Sequence, residues 1–203
     1  MELLLIRHAL PVRIDAADGV ADPPLAELGM RQSEALAEVL ADEGIDVLLA
    51  SPLRRARETA APVAACLGLD VEVVDGLAEF DRDSNWYIPI EELRAAGDPR
   101  WLSYLDEHWG TESGLDPSGF RAGVVRTIED VIAANPGARV AAVAHGGVVN
   151  AYVAHVLQTP SPGVFEPTYT SITRILASRG GHRMVKSMNE AAHVRDLLPP
   201  GAR

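Results

Sequence analysis

The sequence predicts an α/β fold, a three-layer α/β/α sandwich with a mostly parallel central sheet. Three observations predict it. Short apolar runs alternate with longer amphipathic segments along most of the 203 residues. Strand alternating with helix builds a parallel sheet covered on both faces. The last two strand-like runs are joined at Gly180-Gly181, which reads as a hairpin and puts at least one antiparallel strand at an edge. Residues 80–116 break the alternation and read as a small helical insertion.

The elements follow in order. Leu3 to Ile6 is an apolar run of strand length. Met30 to Glu43 carries Leu36, Val39 and Leu40 on one helical face. Val47 to Ala50 is a second strand. Leu53 to Leu67 is helical, with Leu53, Ala56, Ala60 and Val63 in register and Pro62 expected to bend it. Val71 to Val74 is a third, short strand. Ser118 to Ala134 is a helix whose Phe120, Val124, Ile128 and Val131 share a face, stopped by Asn135-Pro136-Gly137. Arg139 to Ala144 is a fourth strand, and Val148 to Leu157 a helix behind it. Ser171 to Ser178 and Arg183 to Ser187 form the final hairpin. The tail from Leu198 through Pro199-Pro200-Gly201 is expected to fray.

Length and composition suit a single domain spanning 1–203. Hydrophobic residues make up 47% and charged residues 23%, ordinary values for a globular domain. A chain of this size buries about 70% of its unfolded surface, so it needs no disulfide or metal to fold. The single cysteine, Cys66, excludes an intrachain disulfide and a Cys-based zinc cluster. It fits a cytoplasmic setting, and its apolar helical context reads as a buried structural thiol. The N-terminal apolar run of four residues is neither a secretory signal nor a membrane span. Lys and Arg number 18 against 29 Asp and Glu, a formal net charge of −11. That balance argues against nucleic acid or an anionic membrane as partner. A local group of arginines can still hold a small anion.

Ten aromatic residues occur in the chain, and six fall within 80–116: Phe80, Trp86, Tyr87, Trp101, Tyr104 and Trp109. Trp101, Leu102, Leu105 and Trp109 recur at helical spacing. The segment reads as a helical subdomain packed on itself, some of whose rings also line a pocket mouth.

In open parallel sheets, ligands bind beyond the carboxyl ends of the strands. The first strand is followed by Arg7 and His8, and the second by Ser51, Pro52, Leu53, Arg54 and Arg55. Glu79 comes a little after the third strand, and His145, Gly146 and Gly147 after the fourth. A parallel sheet would bring these to one rim. Arginine forks match phosphate oxygens bidentately. A neutral histidine can attack phosphorus, and neighbouring arginines keep it neutral. A carboxylic acid can protonate a departing oxygen. The set fits phosphoryl transfer and requires no metal or other cofactor. His8 and His145 are poor candidates for a metal pair, because the flanking arginines repel a cation.

At these residues the chain resembles the histidine phosphatase superfamily, the phosphoglycerate mutase-like proteins. Leu3-Leu4-Leu5-Ile6-Arg7-His8-Ala9 is similar to that family's Arg-His-Gly signature. Ser51-Pro52-Leu53-Arg54-Arg55-Ala56-Arg57-Glu58-Thr59-Ala60 resembles its second motif, Leu77-Ala78-Glu79 its proton-donor segment, and Val143-Ala144-His145-Gly146-Gly147 its last catalytic motif. Pro24 to Gln32 resembles the segment entering the first helix. The resemblance implies that His8 is the nucleophile that becomes phosphohistidine. It implies that Arg7 and Arg55 bind the transferred phosphoryl group and that His145 donates to the same oxygens. Glu79 would protonate the leaving group and later activate water, with Asp81 and Asp83 close enough to compete for that part. Arg54 and Arg57 read as bystanders. The insertion would be the substrate lid, with Arg82 and Trp86 as candidate specificity residues. A homodimer is a further family-level expectation.

The sequence also departs from the pattern. Ala9 stands where the family usually has Gly. Pro11 and Ile14 stand where a hydroxyl residue and an asparagine usually help hold the phosphate, and Arg13 is a candidate to compensate. No Arg-Arg pair like that of the mutases occurs in 80–116. The implied function is hydrolysis of a small phosphate ester. The alternatives are mutase-type phosphoryl transfer and a non-catalytic phospholigand-binding member of the family. Among the other histidines, His108 and His155 read as packing or surface residues and His182 as a turn residue. Asn189 and His193 resemble a C-terminal pair found in phosphatase branches, close to the pocket or structural.

Overall fold

The computed structural model describes residues 1–16, 18–98, 116–160 and 163–198. Helices pack on both faces of a six-stranded sheet ordered β3-β2-β4-β1-β5-β6. The strands are β1 (Glu2–Arg7), β2 (Val47–Ala50), β3 (Val71–Val73), β4 (Arg139–Ala144), β5 (Ile172–Ala177) and β6 (Arg183–Glu190). The first four run parallel, while β5 and β6 are antiparallel and occupy one edge. The predicted architecture holds, hairpin included. β6 runs past the expected Ser187 because a register shift in its pairing with β5 lets the ladder continue to Glu190.

The helices are α1 (Glu27–Leu40), α2 (Arg54–Leu67), α3 (Ile90–Ala95), α4 (Pro117–Ala134) and α5 (Gly146–Val156). β1 shows why the sheet needs cover on both sides. Leu3 and Leu5 face one way, into a core with Ile128, Val148 and Tyr152 from α4 and α5. Leu4 and Ile6 face the other, into a core with Leu36, Leu40, Ala60 and Val63 from α1 and α2. The period of two along a strand makes that split. No helix among the described residues is long and apolar enough to cross a membrane.

Three expectations change. α1 starts and ends three residues earlier than the pattern suggested, and its buried stripe runs Gly29, Gln32, Ser33, Leu36, Ala37 and Leu40. Val39 therefore lies off the stripe and is 41% exposed. Gly29 must be glycine, since a Cβ there would run into the Leu10 carbonyl. Cys66 is exposed. It sits in the last turn of α2, just before the left-handed Gly68 turns the chain into the edge strand β3, where the sheet has no further strand to cover it. α2 itself continues through Pro62 to Leu67. Finally, α5 begins at Gly146, immediately after β4, and not at Val148. The helix expected over Trp101–Trp109, His108 and the tail from 199 lie outside the described residues.

Leu36→Ala should destabilise the protein by about 2–5 kcal/mol through the cavity it opens. Val39→Ala, three residues on, should cost less than about 0.5 kcal/mol. Denaturant midpoints of the two variants check this. Equal losses would contradict the orientation of α1.

Candidate active site

The parallel register brings three strand ends to one rim. Arg7 pairs with Ala144 and Ala50 with Val143, so His8, Ser51 and His145 emerge side by side. The His8 N–H still donates to the Ala144 carbonyl at 2.9 Å, and the Ser51 N–H to the Val143 carbonyl at 2.9 Å. The two imidazole centroids lie 5.0 Å apart. Both rings are buried.

His8 Nδ1 lies 2.7 Å from the Ala9 carbonyl oxygen. A carbonyl only accepts, so Nδ1 carries the proton and Nε2 keeps its lone pair. Burial, then the Arg55 and Arg7 charges, hold the His8 pKa well below the usual imidazole value. Burial and the same arginines do this to His145 as well. Both rings are therefore neutral near neutral pH. His145 Nε2 shares a 2.7 Å hydrogen bond with the Ser51 hydroxyl, which also accepts from the Leu53 N–H. Among the described residues, His145 Nδ1 has no partner, and neither has Arg55 Nε. Buried polar atoms left unpaired cost free energy and call for an explanation.

The two arginines are held differently. Arg7 Nη1 donates to Glu91 Oε1 at 2.8 Å and to the Pro167 carbonyl at 2.6 Å. Its guanidinium lies 3.8 Å over the Tyr169 ring, and the Tyr169 hydroxyl donates to Glu91 at 2.9 Å. Thus α3 of the insertion supplies the counter-charge for a β1 residue. Arg55, in the first turn of α2, is 1% exposed. It donates to Asp81 at 3.1 Å and lies 4.6 Å over the Tyr87 ring.

Glu79 is buried at the N-terminus of α5. It accepts from the Gly147 N–H at 2.9 Å and the Phe80 N–H at 3.2 Å. Gly147 has to be glycine, because a Cβ would collide with the Glu79 carboxyl. Burial above all, aided by the nearby Asp81 charge, pushes the Glu79 pKa up to about 7. Burial raises Asp81 too, against the pull of Arg55.

Arg7, His8, Arg55 and Glu79 form the floor of a cavity of about 450 Å³, with His145 buried beside His8. The cavity walls are mostly apolar: Trp86, Ile88 and Ile90 before and in α3, Phe120 on α4, and Phe165 before β5. Phe80 and Phe120 meet edge to face at 5.9 Å. Asp81 serves Arg55, and the wall acid Glu166 pairs with Arg94.

A family model, "Histidine phosphatase superfamily (branch 1)", matches residues 3–190. The chain belongs to the histidine phosphatase superfamily. It is 36% identical over 95 residues to phosphoserine phosphatase 1 of Hydrogenobacter thermophilus, a stretch covering 46% of this chain and 45% of that protein. The matched stretch thus spans less than half of that curated relative. Among solved structures, a mycobacterial glucosyl-3-phosphoglycerate phosphatase complexed with inorganic phosphate superposes with a TM-score of 0.75. It shares 25% identity, over 95% of this chain and 99% of that one. Phosphoserine phosphatase from Entamoeba histolytica has the same fold, with a TM-score of 0.75 at 24% identity over 95% and 98% of the two chains.

In this member of the superfamily, five residues singled out from the sequence come together: Arg7, His8, Arg55 and Glu79 line the cavity floor, and His145 lies fully buried beside His8. Trp86 reaches the cavity wall. Two others do not join them. Arg13 lies on the surface, engaged by Asp15 at 2.8 Å and Glu92 at 3.2 Å, and is not a cavity residue. Those carboxylates turn it outward, so it does not replace the side chains missing at Pro11 and Ile14. Arg82 is turned to Asp75 by a two-pronged ion pair at 2.9 and 3.1 Å. It lines a second hollow with Asp116 and Arg126, which adjoins the first at Glu79, Phe80 and Phe120. Ala9 is tolerated because its backbone stays out of the left-handed region, and its N–H donates to Thr59. Asn189 and His193 support the turn beneath Arg7. Asn189 Oδ1 accepts from the Thr168 N–H at 2.7 Å, and His193 Nε2 lies 3.3 Å from the Thr170 hydroxyl.

Sequence reasoning missed Glu91, Tyr169 and Tyr87 as parts of the site. Glu91 and Tyr169 lie 84 and 162 residues from Arg7, and no local pattern marks such partners. Tyr87 could have been suspected from its place among the clustered aromatics.

Glu91→Ala should leave the buried Arg7 without its counter-charge and cost about 3–5 kcal/mol. Glu92→Ala, next to it but paired on the surface with Arg13, should barely move the unfolding midpoint. A side-chain NMR titration should find a carboxyl with a midpoint near 7, protonated below it and ionised above, that vanishes in Glu79→Gln.

Proposed function

We propose that this protein is a phosphomonoesterase that works through a phosphohistidine and needs no metal. The observation that carries this reading is the pair of unpartnered buried atoms, Arg55 Nε and His145 Nδ1, beside a neutral nucleophilic His8. A phosphoryl group in that space would give both a partner. His8 Nε2 attacks phosphorus and the phosphorus–oxygen bond to the alcohol breaks. The leaving oxygen takes the Glu79 proton. Glu79, now a carboxylate, draws a proton from water, which attacks phosphorus and breaks the phosphorus–nitrogen bond. Inorganic phosphate leaves and His8 is neutral again. Arg7 and Arg55 neutralise the equatorial oxygens throughout. His145, in the tautomer protonated on Nδ1, donates to them while Ser51 donates to its Nε2. The pKa of Glu79 near 7 suits both of its tasks.

His8→Ala should abolish turnover of a generic aryl phosphate, and a chelator should leave the wild type unaffected. Labelled substrate should leave an acid-labile, base-stable phosphoryl group on the wild type only. Full activity of His8→Ala would sink the mechanism, and interconversion of phosphoglycerate isomers without phosphate release would make the protein a mutase. Because Glu79 must start protonated, kcat should fall as pH rises through about 7. Glu79→Gln should be slower by about 10²–10⁴-fold and lack that limb.

The walls favour a leaving group with apolar surface. In the series methyl, butyl, octyl phosphate, kcat/KM should rise about fourfold per methylene that enters the cavity. O-phosphoserine should be a poorer substrate, since the wall carboxylates Asp81 and Glu166 are already paired with arginines. A flat series would refute the apolar preference and leave the phosphatase reading standing.

A further inference from the structure

The family's usual phosphate ligands after the Arg-His signature are a hydroxyl and an amide, and this chain has Pro11 and Ile14 there. Neither side chain can donate a hydrogen bond, and Arg13 points away. Yet the main chain at Ile14 does something specific. Its N–H donates to the Tyr87 carbonyl at 2.8 Å, and its carbonyl accepts from the Tyr87 N–H at 2.7 Å. This two-bond bridge pins Tyr87 over the cavity floor.

Tyr87 is 9% exposed and lines the cavity together with Arg7, His8 and Arg55. Its ring stacks under the Arg55 guanidinium and stands 6.5 Å, edge-on, from the His8 ring. Its hydroxyl has no hydrogen-bond partner among the described residues. It is also absent from the sealed polar atoms that lack one, so it keeps some exposure on a residue that lines the cavity. Burial raises the phenol pKa to about 12 while both arginines pull it down. The hydroxyl therefore keeps its proton near neutral pH.

We propose that the Tyr87 hydroxyl donates a hydrogen bond to the phosphoryl group held by Arg7 and Arg55, taking over the contact that Pro11 and Ile14 cannot make. This rests on the phosphatase reading for its catalytic consequence, but phosphate binding alone tests it. A phenol is a neutral donor on a ring with two rotatable side-chain bonds. Fixed by the bridge to Ile14, it loses little freedom on engaging an oxyanion. The same ring serves Arg55 through its face, so ring and hydroxyl have separable parts.

Tyr87→Phe separates them, since it keeps the ring and deletes one oxygen. A hydrogen bond to a charged acceptor is worth about 10–150-fold. The variant should lose that much in kcat/KM for an aryl phosphate. Competitive inhibition by inorganic phosphate should weaken by a similar factor. The unfolding midpoint without phosphate should stay where it is, while the upward shift caused by a fixed phosphate concentration should shrink. That shift is read against each protein's own baseline, so a change in basal stability does not obscure it. Undiminished phosphate affinity in Tyr87→Phe would overturn the proposal, whatever happens to turnover. A wild type that binds phosphate but hydrolyses nothing would overturn the phosphatase reading alone, and the phosphate arm would still decide on Tyr87. A wild type that binds no phosphate would overturn both.

Discussion

A buried guanidinium keeps its charge, so a fold that hides one has to supply counter-charge and acceptors at the same spot. This protein does so twice at the carboxyl edge of its sheet, and the two solutions differ. Arg7 is enclosed by Glu91, the Pro167 carbonyl and the Tyr169 ring. Arg55 has Asp81 on one side and the Tyr87 ring on the other, with Nε left unpaired. Arg7 is the more fully paired of the two. Arg55 is the more deeply buried yet keeps an unpaired donor, and both line the cavity beside His8. Burial first, and then both positive charges, depress the two histidines, so both rings stay neutral.

The insertion takes part in this balance. Glu91 comes from its short helix α3, and Tyr87 and Trp86 from the chain just before it. Arg94 ties the same helix to Glu166, and the backbone bridge at Ile14 ties its approach to the loop after β1. The segment that walls the cavity is therefore anchored through Arg7 on the cavity floor. Changes in the wall can reach Arg7 through Glu91 without touching the strand that carries it.

The global charge of −11 has to be read beside this local arrangement. An acidic body repels a phosphate ester at long range. Within the cavity, the two buried guanidiniums place positive charge where electrostatic interactions are stronger than in bulk water. Among the described residues, three acids line the cavity floor and wall, but Asp81 and Glu166 are matched to arginines and Glu79 is held near its protonated state by burial. Little uncompensated negative charge from these residues faces the cavity.

The strands, the helices and the five clustered residues were legible in the sequence because each depends on local rules. Period two in β1, the apolar stripe of α1 and the residues just beyond each strand end follow from neighbours in the chain. Even where boundaries moved, as at Gly146, the cause was local: α5 starts on the residue after His145, which frees the Gly147 N–H for Glu79. The sequence by itself determined that Arg7, His8, Arg55, Glu79 and His145 would meet, since a parallel sheet allows one rim. Only the tertiary structure decided which charges face one another. Arg13 and Arg82 met nearby carboxylates and turned away, Glu91 reached Arg7 from the insertion, and Tyr87 came to the cavity through a backbone bridge. Electrostatic partnership depends on distance in space at a few ångströms, and no periodicity along the chain encodes it.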